Sequence, residues 1–217
     1  VIVRNEAELF RGVVWEISKG TEGTAKIICF DHAIYLTNNI STYKFVNMTP
    51  EAIINKICGD FGISTGQIAP TNVNLSKLIV RECTLYDMVV TALTEATKRN
   101  GKKYHLVMRE GKLNTEEKGQ QLLKWLITEG ENLIDASKTE SLSDMRNRVV
   151  IVGDKDEILA DLKNDALIQQ YGMLQDYKRE SNISAGEAQT IAQNLLTELA
   201  RVSQALSISA IGIDDVE

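Results

Sequence analysis

Residues 84–115 read TLYDMVVTALTEATKRNGKKYHLVMREGKLNT, and within this stretch the hydrophobic period changes from helical to strand-like. Leu85, Met88, Val89, Ala92, Leu93 and Ala96 recur at three- and four-residue spacing, which places them on one face of a helix. Thr84 stands at its N-cap, with Asp87 three residues on as a variant capping box. Lys98-Arg99-Asn100-Gly101 stops it, with cations in the last turn followed by Asn and Gly. The period then becomes two. Tyr104, Leu106 and Met108 point one way, and Lys103, His105, Val107 and Arg109 point the other. Glu110-Gly111 turns the chain and Lys112–Thr115 returns. A helix followed by a hairpin defines an α+β module.

Upstream, Thr49 caps a second helix with Pro50 at its first position. Ile53, Ile54, Ile57, Cys58 and Phe61 form its stripe, and Gly59 and Gly62 mark its end. Before it the chain reads as strands. Val1-Ile2-Val3 is strand-like, Leu9–Ile17 is rich in Val, Ile and Trp, and Thr24–Phe30 follows the Lys19–Gly23 turn cluster. Both faces of this hairpin are apolar, so it is expected inside a larger sheet or barrel. Asp31–Leu36 reads as one helical turn and Thr42–Val46 as a strand. Downstream, Leu122–Thr128, Asn132–Leu142 and Arg148–Val152 are strand candidates, and the run Val149–Val152 belongs in a buried strand. Asp154–Asp165 reads as a strand edge or a linker. Ser184-Ala185-Gly186-Glu187 opens a helix with a full capping box, and Val202–Ile213 closes the chain as a strand. Strands from the two ends are expected to pair with each other around the middle module.

The 217 residues are 43 % hydrophobic and 25 % charged, the mixture of a folded globular protein, with a formal net charge of −6. Residues 1–110 carry 13 basic and 11 acidic side chains, and residues 111–217 carry 11 and 19. The net charge of −6 excludes a nucleic-acid binder of the basic kind for the chain as a whole, and the acidic second half repels phosphates and anionic membranes. No run of about 18 apolar residues spans a membrane. The chain starts on strand-like Val1 with no secretory leader in view, and it is expected to be a piece of a longer protein. Cys29, Cys58 and Cys83 suit free thiols in a reducing cytoplasm. The Asn-x-Ser/Thr triplets at Asn39, Asn47, Asn74 and Asn182 then read as turn and cap residues.

A search for chemistry finds none to assign. Cys29-x-x-His32 has ligand-like spacing, but no second Cys/His pair follows it at zinc-site spacing. His32 has no partner legible in sequence, and His105 falls on the charged face of the hairpin. The Asp154-x-Asp156-Glu157 turn has Leu159 where a calcium loop needs Gly. Glu116-Glu117 and Asp214-Asp215 are neighbours, which a strand sends to opposite faces. Trp15 and Trp125 are expected as core or subunit-interface anchors. No catalytic, cofactor-binding or metal-binding residue is expected, and the chain is not expected to be an enzyme.

Seven blocks, in order, resemble a known family. They are Leu9-Phe10-Arg11-Gly12-Val13-Val14-Trp15, Phe30-Asp31-His32-Ala33-Ile34-Tyr35-Leu36-Thr37-Asn38-Asn39, Thr84-Leu85-Tyr86-Asp87-Met88, Gly101-Lys102-Lys103-Tyr104-His105-Leu106, Asn132-Leu133-Ile134-Asp135, Tyr171-Gly172-Met173-Leu174-Gln175 and Ala210-Ile211-Gly212-Ile213-Asp214. Together they resemble the XkdQ/YqbQ family of prophage tail proteins, within the phage late control D group of baseplate hub proteins. The resemblance implies an α+β, mainly β chain, with small β-barrel-type domains flanking an α+β insert and a late helix. Residues 1–47 would be the first part of one barrel-type domain, short of its opening strands. Residues 48–120 would be the insert. Residues 121–217 would be a second β-rich region with a helix over 184–201, short of its closing strand. It further implies a structural hub of a contractile phage or phage-like tail. Such hubs are homo-oligomers, trimers whose barrels make a pseudo-sixfold ring between tail tube and spike. The implied partners are other baseplate, spike and tail-tube proteins, with DNA only as passing cargo and no membrane. The implied location is the cytoplasm during assembly and then the virion or tail-like particle. No catalytic residue carries over.

An alternative reading is a peptidoglycan-binding module. Met48–Ile68, with its capped helix and Phe61-Gly62-Ile63-Ser64 end, is similar to the first half of a LysM module. Strand-like Leu75–Arg81 stands where the second helix of such a module is expected.

Overall fold

The computed structural model describes residues 1–5, 7–20, 23–120 and 127–211, and the chain divides into two units, Val1–Gln120 and Gln121–Glu217. In the first unit the apolar run Leu9–Ile17 is two strands where one was expected. β1 (Ile2–Asn5) pairs antiparallel with β2 (Ala7–Arg11), and β3 (Val13–Lys19) pairs antiparallel with β4 (Ala25–Phe30). Gly12 makes the break, its N–H donating to the Val1 carbonyl at 2.9 Å. A Cβ at Gly12 would lie 2.1 Å from the Phe30 carbonyl oxygen, so only glycine lets the two backbones come this close.

A short helix, α1 (Ile34–Thr37), leads to β5 (Ile40–Met48). Next come α2 (Pro50–Asp60), β6 (Thr65–Ile68), β7 (Leu75–Thr84), α3 (Leu85–Asn100), β8 (Tyr104–Arg109) and β9 (Lys112–Glu117). β5 pairs antiparallel with β7, and β9 sits between β6 (parallel) and β8 (antiparallel). β7 occupies the place where a LysM-like module would need its second helix.

The helix caps form as their residues dictate. Thr49 accepts a bond from the Ala52 N–H at 3.3 Å. Thr84 accepts from the Asp87 N–H at 3.0 Å and donates its own hydroxyl to the Asp87 carboxylate at 2.6 Å. Both apolar stripes are buried. Ile53, Ile54, Ile57 and Cys58 meet Leu85, Met88, Val89, Ala92, Leu93 and Ala96 in a core shared with Leu36, Phe45, Leu75, Val80 and Leu113. Phe61, expected in the first stripe, stays exposed beyond the helix end.

α3 stops at Gly101, which is left-handed (φ 72°) and donates its N–H to the Thr97 carbonyl at 2.8 Å. Gly101→Ala is therefore expected to cost about 1 kcal/mol, because a Cβ is strained at positive φ. Gly101→Asn is expected to cost less. Denaturant midpoints of the two variants check the order.

The second unit opens with β10 (Leu133–Ser141), β11 (Arg148–Val152) and β12 (Ile158–Lys163). It continues with α4 (Asp165–Tyr171), β13 (Gln175–Arg179), α5 (Ala185–Leu199) and β14 (Ser203–Ala210). β11 is central, antiparallel to β12 and parallel to β13, and its Val149 and Ile151 pack on Ala188, Ile191, Ala192, Leu195 and Leu196 of α5. Ser184 and Glu187 make the full capping box of α5. β10 pairs antiparallel with β14.

The fold is mainly β with helices packed on the sheets, an α+β architecture. Every sheet among the described residues has two or three strands and lies within one unit. The strands of the two chain ends, expected to pair with each other, pair instead within their own unit. At the N-terminal end the partners β1–β2 and β3–β4 are joined by short connections and meet first, whereas β14 returns to β10 across the whole β11–α5 segment. The expected strand Leu122–Thr128 lies mostly outside the described residues.

Candidate interaction surface

β3 and β4 form a ribbon of only two strands, where the apolar sequence predicted a larger sheet. Their register slips between Val14 and Glu16, so Trp15 is the extra residue of a bulge and leaves the alternation with Val13 and Ile17. Trp15 meets Phe30 edge-on, with ring centroids 6.0 Å apart, yet remains 49 % exposed. Ile17 and Ile27 face each other across the ribbon, both 54 % exposed. A two-stranded ribbon is marginal by itself in water, and contiguous bare apolar side chains mark an interaction surface.

The β10–β14 ribbon repeats the arrangement in the second unit. Ala136 faces Ile208 and Lys138 faces Leu206 on one side; on the other, Ser137 faces Ser207 and Thr139 faces Ala205. Leu206 and Ile208 are exposed, as is Ile134 at a bulge where the register slips between Leu133 and Asp135.

The polar residues singled out in the sequence do not converge. His32 shares a hydrogen bond with the Gly111 carbonyl at 3.2 Å and stacks on Tyr35. His105 lies 3.6 Å from Glu116 across the β8–β9 hairpin, and Glu116 also pairs with Arg109. Glu117 pairs with Lys102 at 2.8 Å, so the two adjacent acids serve separate ion pairs. Cys58 is buried, and burial pushes its thiol up to about 11. Cys29 and Cys83 are half-buried free thiols.

The acidic turn after β11 is closed by its own contacts. Asp154 accepts from the Ser181 hydroxyl at 2.6 Å, Asp156 pairs with Arg179, and Glu157 accepts from the Lys155 N–H at 2.9 Å. Among the described residues no group of three His, Cys, Asp or Glu side chains could hold a metal ion, and no helix is long and apolar enough to cross a membrane. Trp125 and the Asp214-Asp215 pair lie outside the described residues.

The arrangement is thus one of surfaces: two two-stranded ribbons with bare apolar side chains, and two packed cores in other elements. A family model described as YQBQ-like matches residues 1–217. The chain belongs to the YQBQ-like family. Over 215 residues it is 31 % identical to the phage-like element PBSX protein XkdQ of Bacillus subtilis (strain 168), covering 97 % of this chain and 66 % of that protein. It is 30 % identical to YqbQ of the same organism, with the same coverage. This YQBQ-like chain therefore spans 66 % of the length of both relatives.

Solved structures share the fold at low identity. The tail protein from Neisseria meningitidis MC58 aligns with a TM-score of 0.65 at 13 % identity, covering 93 % of this chain and 64 % of that one. The 43 kDa tail protein of prophage MuSo2 from Shewanella oneidensis aligns with a TM-score of 0.61 at 15 % identity, covering 88 % and 60 %. Both of these solved structures are named as tail proteins.

Proposed function

We propose that this YQBQ-like chain is a structural component of the baseplate hub of a contractile phage or phage-like tail. It assembles as a trimer in the full-length protein and forms a symmetric ring between tail tube and spike. Residues 1–47 and 121–217 would supply the ring-forming parts and residues 48–120 an insert between them. Its role is geometric rather than catalytic, and its partners are copies of itself and neighbouring tail proteins. The observation that carries this reading is the pair of apolar ribbons, β3–β4 and β10–β14, which leave Trp15, Ile17, Ile27, Leu206 and Ile208 bare on isolated strand pairs. Such side chains are stabilised by burial against a partner at roughly 25 cal/mol per Å². The names of XkdQ, a phage-like element protein, and of the two solved tail proteins supply the setting.

Light scattering on the full-length protein tests the reading. A trimeric mass that is stable on dilution is expected, and a strict monomer overturns it. Gold labelling of the protein in intact tails is expected at the junction of tube and spike. Label distributed along the tube would argue for a different position in the particle.

A further inference from the structure

One face of the β5–β7 ribbon is inside the core and the other is bare. Phe45 faces Leu78 and Tyr43 faces Val80 on the inner side. On the outer side Lys44 faces Ile79 and Val46 faces Lys77, with Arg81 two residues beyond Ile79 at the bulge between Ser41 and Tyr43. Lys44, Lys77 and Arg81 are exposed and pair with no carboxylate among the described residues, and Val46 between them is 52 % exposed. Glu82, next in sequence to Arg81, sits at the bulge with φ 50° and pairs with none of the three. Several other cations of the same unit are neutralised: Lys56 pairs with Asp60, Lys98 and Arg99 with Glu95, and Lys102 with Glu117. The outer face of β5–β7 is thus a set of unneutralised cations interleaved with aliphatic side chains.

The second unit carries a patch of matching character. Residues 121–217 hold 9 basic and 17 acidic side chains, against 15 and 13 in residues 1–120. Around the start of β10, Glu129, Glu131 and Asp135 are exposed and in no ion pair among the described residues. Ile134, pushed out at the bulge, is 69 % exposed among them. Ile211, tied to this end by its N–H to the Asn132 carbonyl at 2.8 Å, is also exposed. Three carboxylates around two bare isoleucines here answer three cations around Val46 and Ile79 there.

We infer that the outer face of β5–β7 is a docking surface for a second copy of this chain, and that it receives the acidic, apolar start of that copy's β10. The occupant follows from complementarity of both charge and apolar character. The two patches differ, so the contact is heterologous. A heterologous contact passes from copy to copy and closes into a ring when its rotation allows. The inference rests on the ring reading and extends its contact surface into the insert, since Lys77, Ile79 and Arg81 of β7 lie within residues 48–120. Exposed charge pairs add little affinity but set partner choice and association rate, and salt screens them. The isoleucines and Val46 supply the buried apolar area.

Charge reversal in the full-length protein tests it. Lys44→Glu/Lys77→Glu/Arg81→Glu is expected to weaken self-association at least about a hundred-fold, because like charges then face each other. Glu129→Lys/Glu131→Lys/Asp135→Lys is expected to do the same. A single chain carrying all six reversals is expected to associate again. Circular dichroism shows which variants are folded, and if one triple variant is not, the other decides. Folded triple variants that remain trimeric would sink this interface while leaving the ring reading intact. Folded six-reversal protein that stays dissociated would also sink it. A wild-type protein that is monomeric at every concentration would remove the ring reading and this inference together.

Discussion

Phe45→Ala is expected to destabilise the first unit by about 3–5 kcal/mol, the largest single effect in the molecule. Phe45 is 1 % exposed, lies opposite Leu78 on the inner face of β5–β7, and stacks on Tyr43 with ring centroids 5.2 Å apart and an interplanar angle of 8°. The rings of Tyr43 and Phe45 line the sheet side of the core that receives α2 and α3. Truncation removes the transfer energy of a whole ring and leaves a void. A strand paired along its length and two capped helices cannot collapse into that void.

Tyr43 also loses its stacking partner, while its hydroxyl stays tied to Asp60 at 2.7 Å. That tyrosine is pushed up to about 12 by burial and then by its bond to Asp60, so it remains neutral throughout the physiological range. Phe45→Leu, which keeps most of the volume, is expected to cost less. Val46→Ala, on the outer face one residue on, is expected to stay within about 0.5 kcal/mol. Hydrogen exchange of the α2 and α3 amides reads the first unit separately. Unchanged protection in Phe45→Ala would contradict the packing described here.

Asn147→Ala is expected to cost the second unit about 2–4 kcal/mol, at one buried side chain with two hydrogen bonds. Asn147 is fully buried, its Nδ2 donates to the Gly172 carbonyl at 2.7 Å, and its Oδ1 accepts from the Leu174 N–H at 2.8 Å. Its backbone N–H donates to the Leu174 carbonyl and its carbonyl accepts from the Asn164 N–H, both at 2.8 Å. Asn164 in turn caps α4. One residue thus joins the start of β11, the cap of α4 and the turn into β13, and sets the parallel register Arg148 opposite Gln175. Alanine would leave a carbonyl and an N–H unpaired.

Asn147→Asp tests the donor separately. It keeps an acceptor for Leu174 but turns a carboxylate toward the Gly172 carbonyl. The folded state then favours the protonated acid, which can donate, so the aspartate is raised above its unfolded value. Stability of that variant is expected to recover as pH falls through the raised value and to be lost again as pH rises. Denaturant midpoints of Asn147→Asp measured across pH check the sign, and a flat profile would rule out the donor role.

Much of the architecture was legible because it is local. α3 is written in Thr84, six apolar residues at helical spacing and Gly101, all within one segment. α5 is written in its capping box, and β11 in the uninterrupted run Val149–Val152. α4 and β13 were not legible. α4 buries none of its side chains completely, and β13 reads Gln-Asp-Tyr-Lys-Arg; both are held by Asn147 and by pairing with β11. The bulges at Trp15 and Ile134 were equally silent, since a register slip belongs to a pair of strands and not to either one.

The same division applies to the surface. The sequence by itself determined the capped helices α2, α3 and α5, the buried strand β11, and the apolar character of the first hairpin on both faces. Caps, periods and composition are properties of neighbouring residues. Only the tertiary structure decided that Trp15, Ile17, Ile27 and Leu206 remain bare on two-stranded ribbons. It also decided that Lys44, Lys77 and Arg81 share one outer face, because a face is defined by register with a strand distant in sequence. Burial and charge neutralisation depend on that pairing, where each side chain meets whatever the rest of the chain brings to it.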